Sequence, residues 1–101
     1  MNPVTVWKFP LPRPTSTGRS FIDMPVATRI LSVGIQDDAL VVWALVDPSP
    51  EKQPGSPRRF IVANTGVEIP GFPEGARFLG TVTSSTGVVW HVWDGDAETT
   101  S

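Results

Sequence analysis

Eleven prolines and seven of the nine glycines fall between the apolar runs of this chain rather than inside them, and that punctuation leaves no room for a long helix. What lies between the breaks has strand character. Val4 to Phe9 alternates Val4, Val6 and Lys8 against Thr5, Trp7 and Phe9, then stops at Pro10-Leu11-Pro12. Ser20 to Met24 reads as a short edge strand ending at Pro25. Leu31, Val33 and Ile35 point one way and Ser32, Gly34 and Gln36 the other, the pattern of a half-buried strand. Asp37-Asp38 turns the chain into Ala39 to Val46, which is apolar on both faces and is therefore expected in the middle of the structure, with Trp43 filling the core. Arg59 to Ala63 resumes a strand that ends in the turn Asn64-Thr65-Gly66. Arg77 to Thr83 and Val88 to Trp93 form a hairpin across Ser84-Ser85-Thr86-Gly87, where Gly87 takes a positive φ at no steric cost. The expected fold is all-β, a compact six-stranded small barrel or sandwich built from antiparallel hairpins.

A chain of 101 residues makes one domain, single domains most often running to about 100–150 residues. That domain is expected over residues 1–93. Asp47 to Pro57 holds four prolines, so residues 48–57 are expected as an exposed proline-rich loop. After Trp93 the apolar signal stops, and residues 94–101, with Asp94, Asp96 and Glu98, read as an acidic disordered tail. There is also an internal echo. Ala27-Thr28-Arg29-Ile30-Leu31 leading to Val41-Val42-Trp43 is similar to Ala76-Arg77-Phe78-Leu79 leading to Val88-Val89-Trp90. Two such hairpins suit a small pseudo-symmetric fold, although hairpins rich in valine and tryptophan also look alike by composition alone.

Eight basic against ten acidic residues give a net charge of −2, which argues against a surface that coats a nucleic-acid polymer. The absence of cysteine excludes disulfides, thiolate metal sites and cysteine nucleophiles together. The N-terminal residues lack the charged start and apolar stretch of a secretory signal, and the longest apolar run, Ala39 to Val46, is far short of the ~20 residues that span a bilayer. The chain therefore reads as soluble, with no membrane partner.

Catalytic constellations are missing. Serine-type nucleophilic catalysis needs a base within reach of the hydroxyl and a third group orienting it, and the one histidine, His91, sits in a strand between Trp90 and Val92 with Val89 and Trp93 as same-face neighbours. A lone histidine there is most often a packed or partly exposed strand residue. One histidine and scattered carboxylates make no metal site, and no glycine-rich phosphate loop is present, so neither a cofactor nor an enzymatic activity is expected. Binding chemistry is better supplied. Trp90 and Trp93 lie on opposite faces of the last strand, and Trp7 stands beside Lys8. An indole next to a cation can stack a base and pair its phosphate; the same residue types also favour oligomer interfaces. Arg58 and Arg59 should face opposite ways on their strand. Lys8, Arg29 and Arg77 lie in or beside strands, where charge often protects an edge. Taken together with Asn64 and Thr65, these cations suffice to grip a small dianion and are too few to track a duplex.

The order of motifs carries a resemblance. Trp7-Lys8-Phe9 is followed by Met24-Pro25, Ile30 to Val33, Trp43-Ala44-Leu45-Val46-Asp47-Pro48, Arg59-Phe60 with the Thr65-Gly66 turn, and the hairpin from Gly80-Thr81 to His91-Val92-Trp93. This resembles a widespread family of small proteins encoded by tailed phages and prophages, with Trp-Ala-Leu-Val-Asp-Pro as its most specific piece. The proline loop is longer than usual here, and Val67 stands where many relatives carry a histidine. The resemblance implies a phage accessory protein acting in the cytoplasm of the infected bacterial host. It also implies kinship with viral anti-CBASS nucleotide-sponge proteins, which sequester a cyclic oligonucleotide or cyclic ADP-ribose type of immune signal without catalysis. The partner would be that small nucleotide second messenger, enclosed by a homo-oligomer. Lys8 and Arg59 would pair phosphates, Trp7 and Trp43 would stack bases, and Thr65 with His91 would read polar edges. Two other readings stand beside it: a protein-binding module that inhibits a host or virion protein through a Trp-rich surface, and a minor phage structural protein.

Overall fold

A computed structural model describes residues 3–52 and 55–96, and its regular structure is almost entirely strand. In chain order the strands are β1 (Thr5–Pro10), β2 (Arg19–Met24), β3 (Arg29–Gln36), β4 (Ala39–Val46), β5 (Ser56–Asn64), β6 (Arg77–Thr83) and β7 (Val89–Asp94), with a single 3-10 turn at Pro50–Lys52. They form two antiparallel sheets, one ordered β1-β4-β3 and the other β2-β5-β7-β6. One core lies between them, built from Ile30, Val42, Ala44 and Val46 of the first sheet, Ile22, Met24, Phe60, Val62 and Val92 of the second, and Leu11 of the β1–β2 connection.

The all-β class is as expected, and of the two expected architectures the two sheets match the sandwich and not the closed barrel, but the described residues hold seven strands rather than six. β2 pairs over its whole length with β5, from Arg19 opposite Ile61 to Met24 opposite Ser56. That pairing draws Ser56 and Pro57 out of the expected proline loop into β5. Pro57 is tolerated because β7 pairs only from Phe60 onward, so the proline lies on a stretch with a strand on one side alone.

Trp43 does not fill the core. The inward positions of β4 go to Val42, Ala44 and Val46, and Trp43, opposite Lys8 and Ser32, is half-buried on the outer face of its sheet. Its indole lies across the bare backbone of Gly34, where an added Cβ would come 2.6 Å from the ring. Both faces of β4 are apolar, so alternation could not assign the tryptophan. Asp94 is likewise no tail residue: it closes β7 and is 1% exposed. Gly95 and Asp96 continue against β5 through bonds to Arg59, and residues 97–101 lie outside the described residues.

The echo noted in the sequence is present in space. β3–β4 and β6–β7 are both hairpins, and each first strand carries a register shift after its arginine, at Leu31 in one and Leu79 in the other. β3 and β6 run side by side where the two sheets meet, so closely that a Cβ on Gly80 would come 3.1 Å from Val33. The β3–β4 turn is the two-residue Asp37-Asp38, both with positive φ (51° and 59°), the backbone that matches strand twist in a tight hairpin.

Candidate functional site

Side-by-side packing of the two hairpins brings their arginine-bearing first strands together at one end of the sandwich. Arg29 opens β3, Arg77 opens β6 opposite Asp94, and Arg58 points inward from β5. The three arginines line a pocket of about 410 Å³ with Ala27, Thr28, Ile30 and Asp94.

Arg58 is the fixed member. It is 8% exposed, and its guanidinium donates from Nε and Nη2 to the two carboxylate oxygens of Asp94, at 3.2 and 2.7 Å. Its Nη1 donates to the Thr28 carbonyl at 2.7 Å. Thr28 in turn donates its hydroxyl to the Pro25 carbonyl at 2.7 Å, so the buried polar groups of the wall are chained together. Arg77 donates one guanidinium nitrogen to the Ile30 carbonyl, tying β6 to β3. Arg29 is exposed, and its side chain makes no hydrogen bond or ion pair among the described residues. Three guanidinium groups against one carboxylate leave the pocket with a net charge of +2, and Arg29 and Arg77 keep N–H donors to spare. A planar guanidinium fork matches the oxygens of a phosphate. The pocket wall also holds a backbone outlier: Ala27 has φ 64°, which a Cβ-bearing residue without a polar side chain rarely adopts.

The six residues singled out from the sequence do not converge. Trp7, Lys8 and Trp43 belong to the three-stranded sheet, Arg59 and His91 to the four-stranded sheet and Thr65 to the turn that follows β5, with the core between. Within each group there is real proximity. Lys8 lies opposite Trp43 and donates Nζ to Gln36 Oε1 at 2.6 Å, while Trp7 packs on Phe9 with ring centroids 6.2 Å apart. Thr65 Oγ1 and Thr81 Oγ1 hold His91 from both sides, at 2.7 Å from Nε2 and 2.9 Å from Nδ1. One of these ring nitrogens donates and the other accepts in the neutral imidazole. Arg59 faces away from Arg58, as expected, and is occupied by the Gly95 carbonyl at 3.0 Å and Asp96 at 3.6 Å.

The set of cations that the sequence groups with Asn64 and Thr65 as a grip for a small dianion is divided in space: Arg29, Arg58 and Arg77 share one pocket, and Lys8, Arg59, Asn64 and Thr65 lie outside it. The sequence signal for Arg29 and Arg77 is the echo itself, since both hairpins begin with an arginine ahead of a bulge, and it does not reach Arg58 on β5. Asp94 and Ala27 carried no local signal.

A family model described as a domain of unknown function (DUF7352) matches residues 3–101. No curated protein and no solved structure matches the chain.

Proposed function

The chain belongs to the DUF7352 family, and we propose that it is a non-catalytic binding protein that sequesters a small phosphorylated nucleotide signal. The observation carrying this reading is the pocket of Arg29, Arg58 and Arg77, whose net +2 charge is the complement of a ligand with two negative charges, such as a cyclic dinucleotide with two phosphodiesters. The resemblance to phage and prophage proteins supplies the setting, an anti-defence sponge for a cyclic oligonucleotide or cyclic ADP-ribose type of immune signal in the host cytoplasm. Nanomolar capture requires about −12 kcal/mol, more than one open pocket on a chain of this size provides. Two copies closing on a symmetric ligand would supply it, and a homo-oligomer is part of the proposal.

A protein-binding module is the second reading. It is favoured by Phe21 and Phe78, 50% and 52% exposed on the outer face of the four-stranded sheet, with Trp93 edge-on to both Phe78 and Phe72.

A thermal-shift and native-gel panel of cyclic di- and trinucleotides, cyclic ADP-ribose isomers and their linear forms decides between the two. A true ligand at 100-fold over its Kd adds about 2.7 kcal/mol of stability. The expected result is a shift with one cyclic species, lost in Arg29→Ala/Arg77→Ala. A folded protein that shifts with no member of the panel overturns the sponge reading.

A further inference from the structure

Each sheet has two edges, and the backbone groups along them are treated differently. β3 and β6 lie against one another where the sheets meet. On β2, Thr15 takes up both backbone groups of Arg19, donating its N–H to the carbonyl at 2.7 Å and accepting from the N–H on Oγ1 at 3.2 Å, and Pro25 follows the strand. β1 has no such cover. Every residue from Val4 to Lys8 is exposed, Val4 and Val6 by 55% and 53% and Trp7 by 37%.

The ladder to β4 settles which backbone groups of β1 are free. Thr5 lies opposite Val46 and Pro10 opposite Val41, and the same register carries on to Leu11, whose N–H donates to the Leu40 carbonyl at 2.9 Å. Bonded pairs recur at every second residue of an antiparallel ladder. Phe9, Trp7 and Thr5 therefore bond to β4, while Val4, Val6, Lys8 and Pro10 turn their backbone groups outward. Pro10, with no N–H to give, stands at an outward position, as a proline in an edge strand must. Lys8, the charge expected to guard this edge, is drawn away from it. Its side chain crosses the outer face of β4 and donates Nζ to Gln36 Oε1 of β3 at 2.6 Å.

We propose that β1 pairs with the β1 of a second copy, antiparallel about a two-fold axis at Trp7, joining the three-stranded sheets of two copies into one. An antiparallel edge bonds only where outward residues stand opposite outward residues, and two-fold symmetry leaves few registers that satisfy this. Lys8 opposite the partner's Lys8 sets like charges against each other. Val6 opposite the partner's Val6 runs Phe9 against the partner's Pro3 and shortens the ladder. Val6 opposite the partner's Lys8 has neither fault. It bonds the outward groups along all of β1, with Val4 donating to the carbonyl of the partner's Pro10, so the missing proline N–H falls at the ladder's end. It also sets Trp7 opposite the partner's Trp7 in a non-hydrogen-bonded pair, the closer kind, where aromatic pairs stabilise a sheet. One strand edge covers less than the roughly 800 Å² per partner of a standard interface, so the dimer is concentration-dependent. β1 contributes nothing to the lining of the arginine pocket, and β4 separates it from Arg29 on β3. The pairing leaves that pocket open and does not depend on the sequestering reading.

Sedimentation equilibrium of the full chain without nucleotide, from micromolar to millimolar, should show a monomer–dimer equilibrium. Val6→Pro removes an N–H that β4 does not use, so the variant should keep its circular dichroism spectrum. It should dimerise more weakly by about tenfold or more, because symmetry counts the lost bond twice. The chain has no cysteine, so Trp7→Cys sets a single thiol on the axis, with Cα atoms about 4.5 Å apart and within disulfide reach. Mild oxidation should cross-link Trp7→Cys and leave Val6→Cys uncross-linked on a non-reducing gel. A chain still monomeric at millimolar concentration, a folded Val6→Pro that dimerises as tightly as wild type, or cross-linking through Val6→Cys rather than Trp7→Cys each overturns the pairing. Should Val6→Pro fail to fold, the two cysteine variants decide. A monomer that still shifts in the cyclic-nucleotide panel would overturn the edge pairing alone and leave the phosphate reading standing.

Discussion

The two ends of the sandwich fasten the same pair of hairpins, one with buried charge and the other with exposed charge. At the arginine end Arg58, Asp94 and Thr28 are all buried, and Arg77 of β6 reaches the Ile30 carbonyl of β3. At the turn end Asp38 of one hairpin accepts from Ser85 of the other in open solvent. Geometrically the two fastenings are alike in that each carboxylate accepts two bonds from a single residue, with Asp94 taking a third from the Asp96 N–H at 3.1 Å. Energetically they are not. A carboxylate withdrawn from water depends on its partners for solvation, whereas an exposed one exchanges them for water at little cost. Position along β3, a strand of eight residues and about 23 Å, thus decides whether the same side-chain chemistry holds the fold or only decorates it.

The largest effect tests the buried end. Asp94→Ala leaves the Arg58 guanidinium enclosed without its counter-charge, and should cost about 3–5 kcal/mol, a large share of the roughly 5–15 kcal/mol that holds a domain together. Urea unfolding should show a much lower midpoint at an unchanged slope. Replacing both partners, Arg58→Met with Asp94→Leu, should recover part of that loss, because the largest penalty belongs to the unpaired charge, while the Thr28 carbonyl and the Asp96 N–H still lose their partners. A single variant that unfolds at the wild-type midpoint would erase the distinction between the two ends.

The backbone extends the comparison. Left-handed conformations occur at both ends, at Ala27 beside the arginines and at Asp37 and Asp38 in the turn. An aspartate tolerates that region because its short polar side chain bonds locally, while alanine bears a Cβ clash worth about 1–2 kcal/mol with nothing to offset it. Glycine at position 27 relieves the clash but loses about 0.4–1 kcal/mol to its freer unfolded chain. Ala27→Gly should therefore stabilise the protein by about 1 kcal/mol, measured in the same urea titration. Strain of this sort gathers at binding sites, and destabilisation by Ala27→Gly would show that the pocket wall is relaxed.

How far the fold was legible follows the same division. Period-two alternation marked β1 and β3, Asp37-Asp38 announced its turn, and Gly87 takes φ 87° where the loop chemistry asked for it. These are local facts. The arginine pocket is not local: Arg58 meets Asp94 from 36 residues away, and Arg29 meets Arg77 only because β3 lies beside β6. An acid followed by Gly95, Asp96 and Ala97 has the composition of a tail, and only the strand across from it reveals that it is buried. Trp43 was misplaced for the converse reason. A run apolar on both faces carries no phase, and the deciding feature was the missing side chain of Gly34 on the neighbouring strand. Of the candidate contacts, only pairs already close on one sheet were brought together, Lys8 with Trp43 and Thr65 with His91.

The smallest effect belongs to the exposed end, and its signature is pH rather than size. The Ser85 hydroxyl, then its N–H, holds the folded-state pKa of Asp38 below the unfolded value. A depressed carboxylate pKa contributes stability that is complete above the unfolded pKa, about 3.9, and is lost as pH falls through the lower folded value. Ser85→Ala removes the larger of the two causes. The difference in unfolding midpoint between wild type and Ser85→Ala should therefore be small and constant from pH 7 down to about pH 5. It should shrink once the pH passes below about 4, where the unfolded chain takes up its proton first. The Ser85 amide resonance should move over the same acidic interval. A difference that grows on acidification would reverse the sign of the linkage and place the weight of this fastening on a neutral Asp38.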